Sequence, residues 1–472
     1  MKKQSTLKNI LQVMMSNCST ILSGVFIGLL IPKIISVEGY GFYKTFTLYM
    51  TYVGIFHLGI ADGIVLKYGG FDYDQLDRTK FRGFFQCYLL VHLFFAALFC
   101  ICAIFIPNNN NKFILFMLAI NMIVVNINTY FQQILQITQK FKEYSFPKIL
   151  QDTTNILSIG LFYILYLHGF TISYTYYIIV VVSINCILAI WYLVNYKDIV
   201  FGNSQSLTTT KPEIVELIKN GFPLLFANLI STLILTLDRQ FVNFLFDTTT
   251  YAIYSFAYDM LTLVTVATSA FAIVLYPTMK RTSLDHLKHM YKYLIETVLC
   301  FISFALLIFF PLKTFILWYL PNYASSLPIF RIIFPGLIIT SAISIVMHNY
   351  YKTLGKNIIF FKKSLIVLLL SALANSIAYI LFHTTIAISV ASIIVMLFWY
   401  FYVEEYFVQI YEYKRWRRFI YILCMMSGFY LTTHLSSVLL GMMLYFIFYC
   451  LVTWCIFHKD FNTILTLFKN GR

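Results

Sequence analysis

The sequence predicts an all-α polytopic membrane protein of about 14 transmembrane helices. It predicts two six-helix lobes in parallel repeat around a central cavity, with two further C-terminal helices. Three observations lead there: fourteen apolar stretches, loops alternately rich and poor in Lys and Arg, and an internal repeat. The 472 residues are 60% hydrophobic and 11% charged, with mean hydropathy +0.79. A soluble chain of this size needs far more charge to cover its surface. A helix crossing the bilayer core needs about 20 apolar residues, so fourteen use roughly 280. Short loops take most of the remainder.

The expected spans are 10–35, 43–66, 83–107, 113–136, 147–168, 172–194, 217–245, 251–276, 291–312, 326–350, 364–383, 384–404, 417–437 and 439–458. Lys2, Lys3 and Lys8 precede the first. The even loops carry Lys67, Arg78, Lys80 and Arg82, then Lys140, Lys142 and Lys148, then Lys197, Lys211 and Lys219. They continue with Lys280, Arg281, Lys288 and Lys292, then Lys352, Lys356, Lys362 and Lys363, then Lys414, Arg415, Arg417 and Arg418. Lys459, Lys469 and Arg472 close the chain. The odd loops are nearly bare: Lys112 in the third, Lys313 in the ninth, and Lys33 and Lys44 edging the first. Cytoplasmic loops carry the excess of Lys and Arg, so both termini are expected in the cytoplasm of a multi-pass protein.

The net charge of +15 lies in the short flanks of apolar spans and reads as topology, with no nucleic-acid partner expected. The nine Cys sit in or beside apolar stretches without a CxxC, implying neither a disulfide frame nor a metal site. Lys2 and Lys3 could head a signal peptide, but the apolar stretch runs on to Ile35, too long for an h-region. No P-loop, G-x-S-x-G or H-E-x-x-H occurs, so neither nucleotide-powered transport nor these hydrolytic chemistries are implied. No enzymatic activity and no cofactor are expected.

Residues 7–43 align without gaps on 218–254, with six identities in 37. Lys8-Asn9 meets Lys219-Asn220, Asn17 meets Asn228, Leu22 meets Leu233, and Tyr40 and Tyr43 meet Tyr251 and Tyr254. Six spans separate the copies, so both start from the same side, as parallel repeats do. Domain boundaries follow: 1–205 and 206–410 for the lobes, and 411–472 for the extra helices and tail. Substrate sites of repeat transporters lie between repeats.

Polar stripes mark faces that do not meet lipid. With Ser255 at zero, Tyr258, Asp259, Thr262 and Ser269 fall within about 60° of it at 100° per residue. With Asn228 at zero, Thr232, Thr236 and Arg239 fall at about +40°, +80° and +20°, with Asp238 near −80°. Gln12, Ser16, Ser19, Thr20 and Ser23 share a face of the first span. Hydroxyls alone can serve helix packing. An ionised side chain at mid-bilayer costs at least ~2.5–3.5 kcal/mol and points to function. Arg239 offers a bidentate fork suited to phosphate, or an internal pair with Asp238 or, better placed, Asp259. Asp259 is the leading carboxylate for H+ or Na+ coupling, with Asp238 and Asp62 behind it. Arg331 either lines the exit or snorkels outward, and Lys44 is placed for interfacial anchoring or substrate. Asp62 and Asp152, near cytoplasmic span ends, are also open to solvation or capping. His57, His92 and His348 are assigned to packing.

Several segments together resemble a known family. They are Glu38-Gly39-Tyr40-Gly41-Phe42-Tyr43, Leu58-Gly59-Ile60-Ala61-Asp62, Gly221-Phe222-Pro223-Leu224 and Leu237-Asp238-Arg239. Tyr251 to Ala257, Tyr276-Pro277 and Lys352-Thr353-Leu354-Gly355-Lys356 follow in order. The chain resembles the bacterial polysaccharide repeat-unit flippases (O-antigen and capsule exporters) of the MATE-like exporter superfamily. The resemblance implies flipping, in the inner membrane, of an oligosaccharide linked through pyrophosphate to a polyprenol. It implies alternating access between two lobes, a cationic cavity, ion coupling and contact with membrane lipids and the polysaccharide polymerase machinery. The family's Asp-Arg pattern carries over to Asp238 and Arg239, whereas Thr250 to Ala252 lacks the Gly usual in that turn.

Rival readings stay open. A drug exporter of the same superfamily would want carboxylates for organic cations, and a cell-wall precursor flippase would share the fold. A membrane glycosyl polymerase or ligase usually carries one large external loop, whereas the longest outer segment here is about Lys313 to Ser325. A non-transporting scaffold would have no use for buried charge.

Overall fold

The computed structural model describes the backbone of residues 2–280, 283–413 and 415–470, and side chains there except at 2–11, 13, 14, 207, 264–278, 280, 284, 289 and 459–470. Among the described residues every regular element is a helix. Two compact units divide the chain, Met1–Thr232 and Leu233–Arg472.

The first unit holds α1 (Lys2–Ile34), α2 (Val37–Met50), α3 (Ile60–Tyr68), α4 (Arg78–Ile104), α5 (Asn109–Ile137), α6 (Phe141–Leu167), α7 (Tyr174–Asn195) and the beginning of α8 (Leu207–Leu245). Short polar residues fix the helix starts by accepting first-turn amides. Ser36 accepts from Gly39, Asp77 from Thr79 and Lys80, and Asn108 from Asn110 and Asn111. Helix α1 lies along α6, and α5 packs between α4 and α7. The core is aromatic, with Phe81, Phe84, Tyr88, Tyr130, Phe131 and Tyr192 all buried.

The rest of α8 opens the second unit. It continues with α9 (Thr248–Lys280), α10 (Leu284–Ala305), α11 (Phe309–Tyr319), α12 (Leu327–Ile333), α13 (Gly336–Ser341), α14 (His348–Thr353), α15 (Asn357–Phe382), α16 (Thr385–Tyr411), α17 (Trp416–Thr433) and α18 (Val438–Asn470). A π-helical stretch, Ala342–Met347, joins α13 to α14. Phe309, Phe330, Phe334 and Phe429 interlock as one ring cluster. Aligned and T-shaped rings of this kind add to plain area burial.

Among the described residues, nine helices are long and apolar enough to cross a membrane, or eleven if two bent pairs count as one span each. The count of fourteen is therefore not established on those criteria. Three helices, α6, α9 and α17, fall at the other expected spans, 147–168, 251–276 and 417–437. Helix α6 carries Gln151, Asp152, Thr153, Thr154 and Asn155 in succession, and α17 is only 18 residues long and has Arg417 and Arg418 in its first turn. The bends have local causes. Leu58 and Gly59 are both left-handed (φ 52 and 83) and turn the chain by 57° into α3. The second pair, bent by 53°, breaks just before Gly336, after Pro335.

The boundary between the two units falls inside α8. In the first unit, α8 crosses α3 backbone on backbone. A Cβ on Gly221 would stand 2.0 Å from the Gly59 carbonyl oxygen, and one on Gly63 2.2 Å from that of Leu217. Small residues allow helices this approach. Nearby, Glu213 accepts from Tyr68 (2.6 Å) and pairs with Lys67 (3.0 Å) and Lys80 (3.2 Å), and Glu216 pairs with Lys67 (2.7 Å).

Candidate functional site

In the second unit, the Asp-Arg step of α8 meets two tyrosines of α9. Tyr254 and Tyr258 are four residues apart, so both hydroxyls reach the same point on α8. Both donate to Oδ2 of Asp238, Tyr254 at 2.8 Å, and Oδ1 accepts the Arg239 amide at 2.8 Å. Asp238 is 3% exposed, so its charge is held by three donors inside the unit. Its partner along the chain is left differently. Arg239 Nη2 donates to the Leu235 carbonyl (3.0 Å) and the guanidinium stands 4.8 Å over the Tyr258 ring. Its Nε is buried with no hydrogen-bond partner, and Arg239 forms no ion pair among the described residues. A half-buried guanidinium with its neighbouring carboxylate already occupied retains a fork of donors for an anion.

Of the two internal partners open to Arg239 as an alternative to substrate, Asp238 is taken up by this stack. Tyr254 and Tyr258 occupy the side of α9 that meets Asp238, and Asp259 lies one residue round the helix, within electrostatic reach of Tyr323. The α9 stripe is therefore not uniform. Ser255 and Tyr258 are buried, Asp259 is half-buried and Thr262 is exposed, its hydroxyl turned back to the Tyr258 carbonyl. The side chain of Ser269 lies outside the described residues. On the first-unit part of α8, Asn228 is exposed and Thr232 returns its hydroxyl to the Asn228 carbonyl at 3.0 Å. Arg331 reaches His434 Nδ1 at 3.3 Å, a neighbour the sequence reading did not consider. Lys44 lies over the rings of Tyr40 (5.6 Å) and Tyr43 (5.7 Å).

Asp62 has a partner that sequence reasoning passed over. His57, read as packing, places Nε2 3.8 Å from Asp62 Oδ2, with both side chains largely buried. His57 Nδ1 accepts the Gly59 amide, so the left-handed turn holds the ring. His92 is held by the Tyr88 carbonyl at 2.6 Å. The reading of Asp152 as solvated or capping is corrected. It is 6% exposed and its Oδ2 takes the hydroxyls of Ser19 and Thr20, each at 2.7 Å. The α1 stripe thus fastens α1 to α6, because two hydroxyls one residue apart can converge on one carboxylate oxygen. A buried amide network also went unread: Gln151 donates to Asn185, Asn185 to Asn121, and Asn128 to the Asn185 carbonyl. The succession of Asn121, Asn126 and Asn128 within an apolar span was its signal. Among the described residues no group of three His, Cys, Asp or Glu could hold a metal ion.

The profile of the polysaccharide biosynthesis protein family matches residues 6–283. The chain belongs to this family. No curated protein sequence matches it. Among solved structures, the lipid II flippase MurJ in an inward closed conformation is similar at TM-score 0.67 and 13% identity, covering 96% of this chain and 100% of that one. An inward-facing multidrug resistance MATE family transporter of the MOP superfamily is similar at TM-score 0.58 and 13% identity, covering 84% of this chain and 95% of that one. A MOP superfamily transporter from Pyrococcus furiosus, described by the reverse polarity of its binding pocket, follows at TM-score 0.53 and 12% identity, covering 86% and 95%. The family member described here therefore has the fold of the MOP superfamily, an all-helical, multi-pass membrane architecture.

Proposed function

We propose that this chain flips a polyprenyl-pyrophosphate-linked oligosaccharide repeat unit across the cytoplasmic membrane, by alternating access, for assembly of a surface polysaccharide such as O-antigen or capsule. The observation that supports this reading most is the state of Arg239. Tyr254, Tyr258 and a backbone amide occupy Asp238, and the guanidinium keeps unneutralised donors in a membrane helix. Such a group suits a phosphoryl anion better than an organic cation, which would seek a carboxylate. A large polar head group cannot cross hydrocarbon unaided, so a polar path must replace its hydration. Family membership in polysaccharide biosynthesis agrees, and so does a fold shared over nearly the whole chain with a flippase of a lipid-linked precursor.

In this reading Arg239 and Arg331, both in the second unit, contact the pyrophosphate. Ser255, Tyr258 and Thr262 line the saccharide's path. Asp259 carries the coupling H+ or Na+, with Asp62 and its His57 neighbour as a second candidate. Asp238 serves to hold the site. The reading is tested in cells whose surface glycan depends on this protein. Arg239→Ala is expected to abolish glycan export at normal protein level. Unchanged export in that variant removes Arg239 from the site and with it the main support for an anionic substrate.

A further inference from the structure

A cavity of about 660 Å³ opens in the second unit among α10, the segment before α17, α17 and α18, on the side rich in Lys and Arg. Three cations line it: Lys292, Arg417 and Arg418. Apolar side chains, Ile420 and Ile456 among them, form much of the remaining wall, and Trp416 stands at it 62% exposed. Arg418 is only 1% exposed. Its Nε has no hydrogen-bond partner, and Nη1 has only an ion pair with Glu404 at 3.4 Å. That carboxylate is shared, since Tyr400 and Tyr413 also approach its Oε1 at 3.3 Å. Glu296 contributes a carboxylate to the cavity as well. The first turn of α17 adds to the positive side: among the described residues no side chain caps it, and its amides carry the positive end of the helix dipole.

We propose that this cavity is a binding site for the phosphate headgroup of an anionic phospholipid of the cytoplasmic leaflet. Basic pockets between transmembrane helices on that side suit such headgroups, and a Trp at the membrane–water interface suits the same depth. Arg417 and Lys292 take the phosphate oxygens at the rim, the buried Arg418 supplies positive potential behind them, and the first acyl carbons lie on Ile420 and Ile456. The mixed wall fixes the source. A free phosphate ion would gain nothing from the apolar part, whereas a lipid uses both. The site is separate from Arg239 and does not depend on the nature of the transported substrate.

The test uses the full-length protein in a zwitterionic detergent, with lipid binding followed by native mass spectrometry. Phosphatidylglycerol is expected to bind and phosphatidylcholine of the same chains is not. Lys292→Ala and Arg417→Ala are each expected to weaken phosphatidylglycerol about fivefold, the effect of one basic residue near a lipid surface. Cys455→Trp, which fills the cavity and leaves every charge in place, is expected to remove binding as well. Excess inorganic phosphate should not displace the lipid. Equal binding of the two lipids, retention of phosphatidylglycerol by Cys455→Trp and both alanine variants, or displacement by inorganic phosphate each overturns the proposal.

Discussion

At the scale of single residues, the arrangement that matters is one carboxylate consumed so that one guanidinium is not. Asp238 and Arg239 are neighbours in sequence, and adjacent side chains on a helix diverge. The hydroxyls that neutralise Asp238 come from the next helix, at Tyr254 and Tyr258. Tyr258 has a second task, since its ring lies under Arg239. Tyr258→Phe separates the two. It keeps the ring and removes one donor from a buried carboxylate, at a cost of about 1–3 kcal/mol. A lower melting temperature in detergent is expected, with export retained in part. Tyr258→Ala removes the platform too and should match Arg239→Ala in export. Export equal to wild type in Tyr258→Ala would show that the stack does not position Arg239. The importance of Asp238-Arg239 was legible in the sequence, because ionised residues stand out in an apolar span. The tyrosine clamp was not legible, because Tyr254 and Tyr258 are two of 36 tyrosines and nothing in their spacing says which carboxylate they meet.

At the scale of elements, two of the motifs that carried the family resemblance turn out to touch. Gly59 and Gly63 begin α3, Gly221 sits in α8, and their backbones meet where any Cβ would collide. Gly221→Val is therefore expected to destabilise the protein by more than the ~1–3 kcal/mol of ordinary overpacking, because backbone is what must move. Gly160→Ala is the control, since nothing lies within 4 Å of its new Cβ. Comparable thermal unfolding of the two variants would contradict this crossing. The repeat also has an element-level meaning. Ser36 and Asp247 occupy equivalent positions, and each caps the following helix by accepting the amide three residues on. The glycine missing from the second copy is explained here. A Cβ on Gly39 would press on Ile35 at 2.8 Å, and the second copy has Thr250, whose hydroxyl also bonds Asp247. Asp247→Ala should cost about 0.5–2 kcal/mol. The Thr250 hydroxyl, then its amide, hold the Asp247 carboxyl below its ordinary value. Its contribution is thus complete above the ordinary carboxylate range and lost as pH falls through the lower folded value. Acid unfolding of Thr250→Val should show less of that dependence, and an unchanged acid profile would assign it elsewhere.

At the scale of the whole molecule, the all-helical, multi-pass class was the legible part, with nine to eleven of the fourteen expected spans long and apolar enough among the described residues. Apolarity reports burial in lipid directly, which is why the class reads better than the count. The breaks read poorly. Leu58 adopts a left-handed backbone that its side chain does not advertise, and its turn depends on His57 accepting the Gly59 amide. The crossing of α3 with α8 and the Glu213 ion pairs were hidden for a related reason, because both are long-range contacts. Asp152 stands near a span end, where solvation is the simple expectation, yet it is buried with the Ser19 and Thr20 hydroxyls on its carboxylate. The central claim, passage of a pyrophosphate-linked saccharide lipid by way of Arg239, is tested most directly with purified protein in sealed vesicles. A polyprenyl-pyrophosphate-linked oligosaccharide is loaded in one leaflet, and its arrival in the other is read with an impermeant saccharide-modifying reagent. The account predicts rapid transfer by the wild type and none above protein-free vesicles for Arg239→Ala. Equal transfer by the two proteins, or none by either while an organic cation is carried, would contradict it.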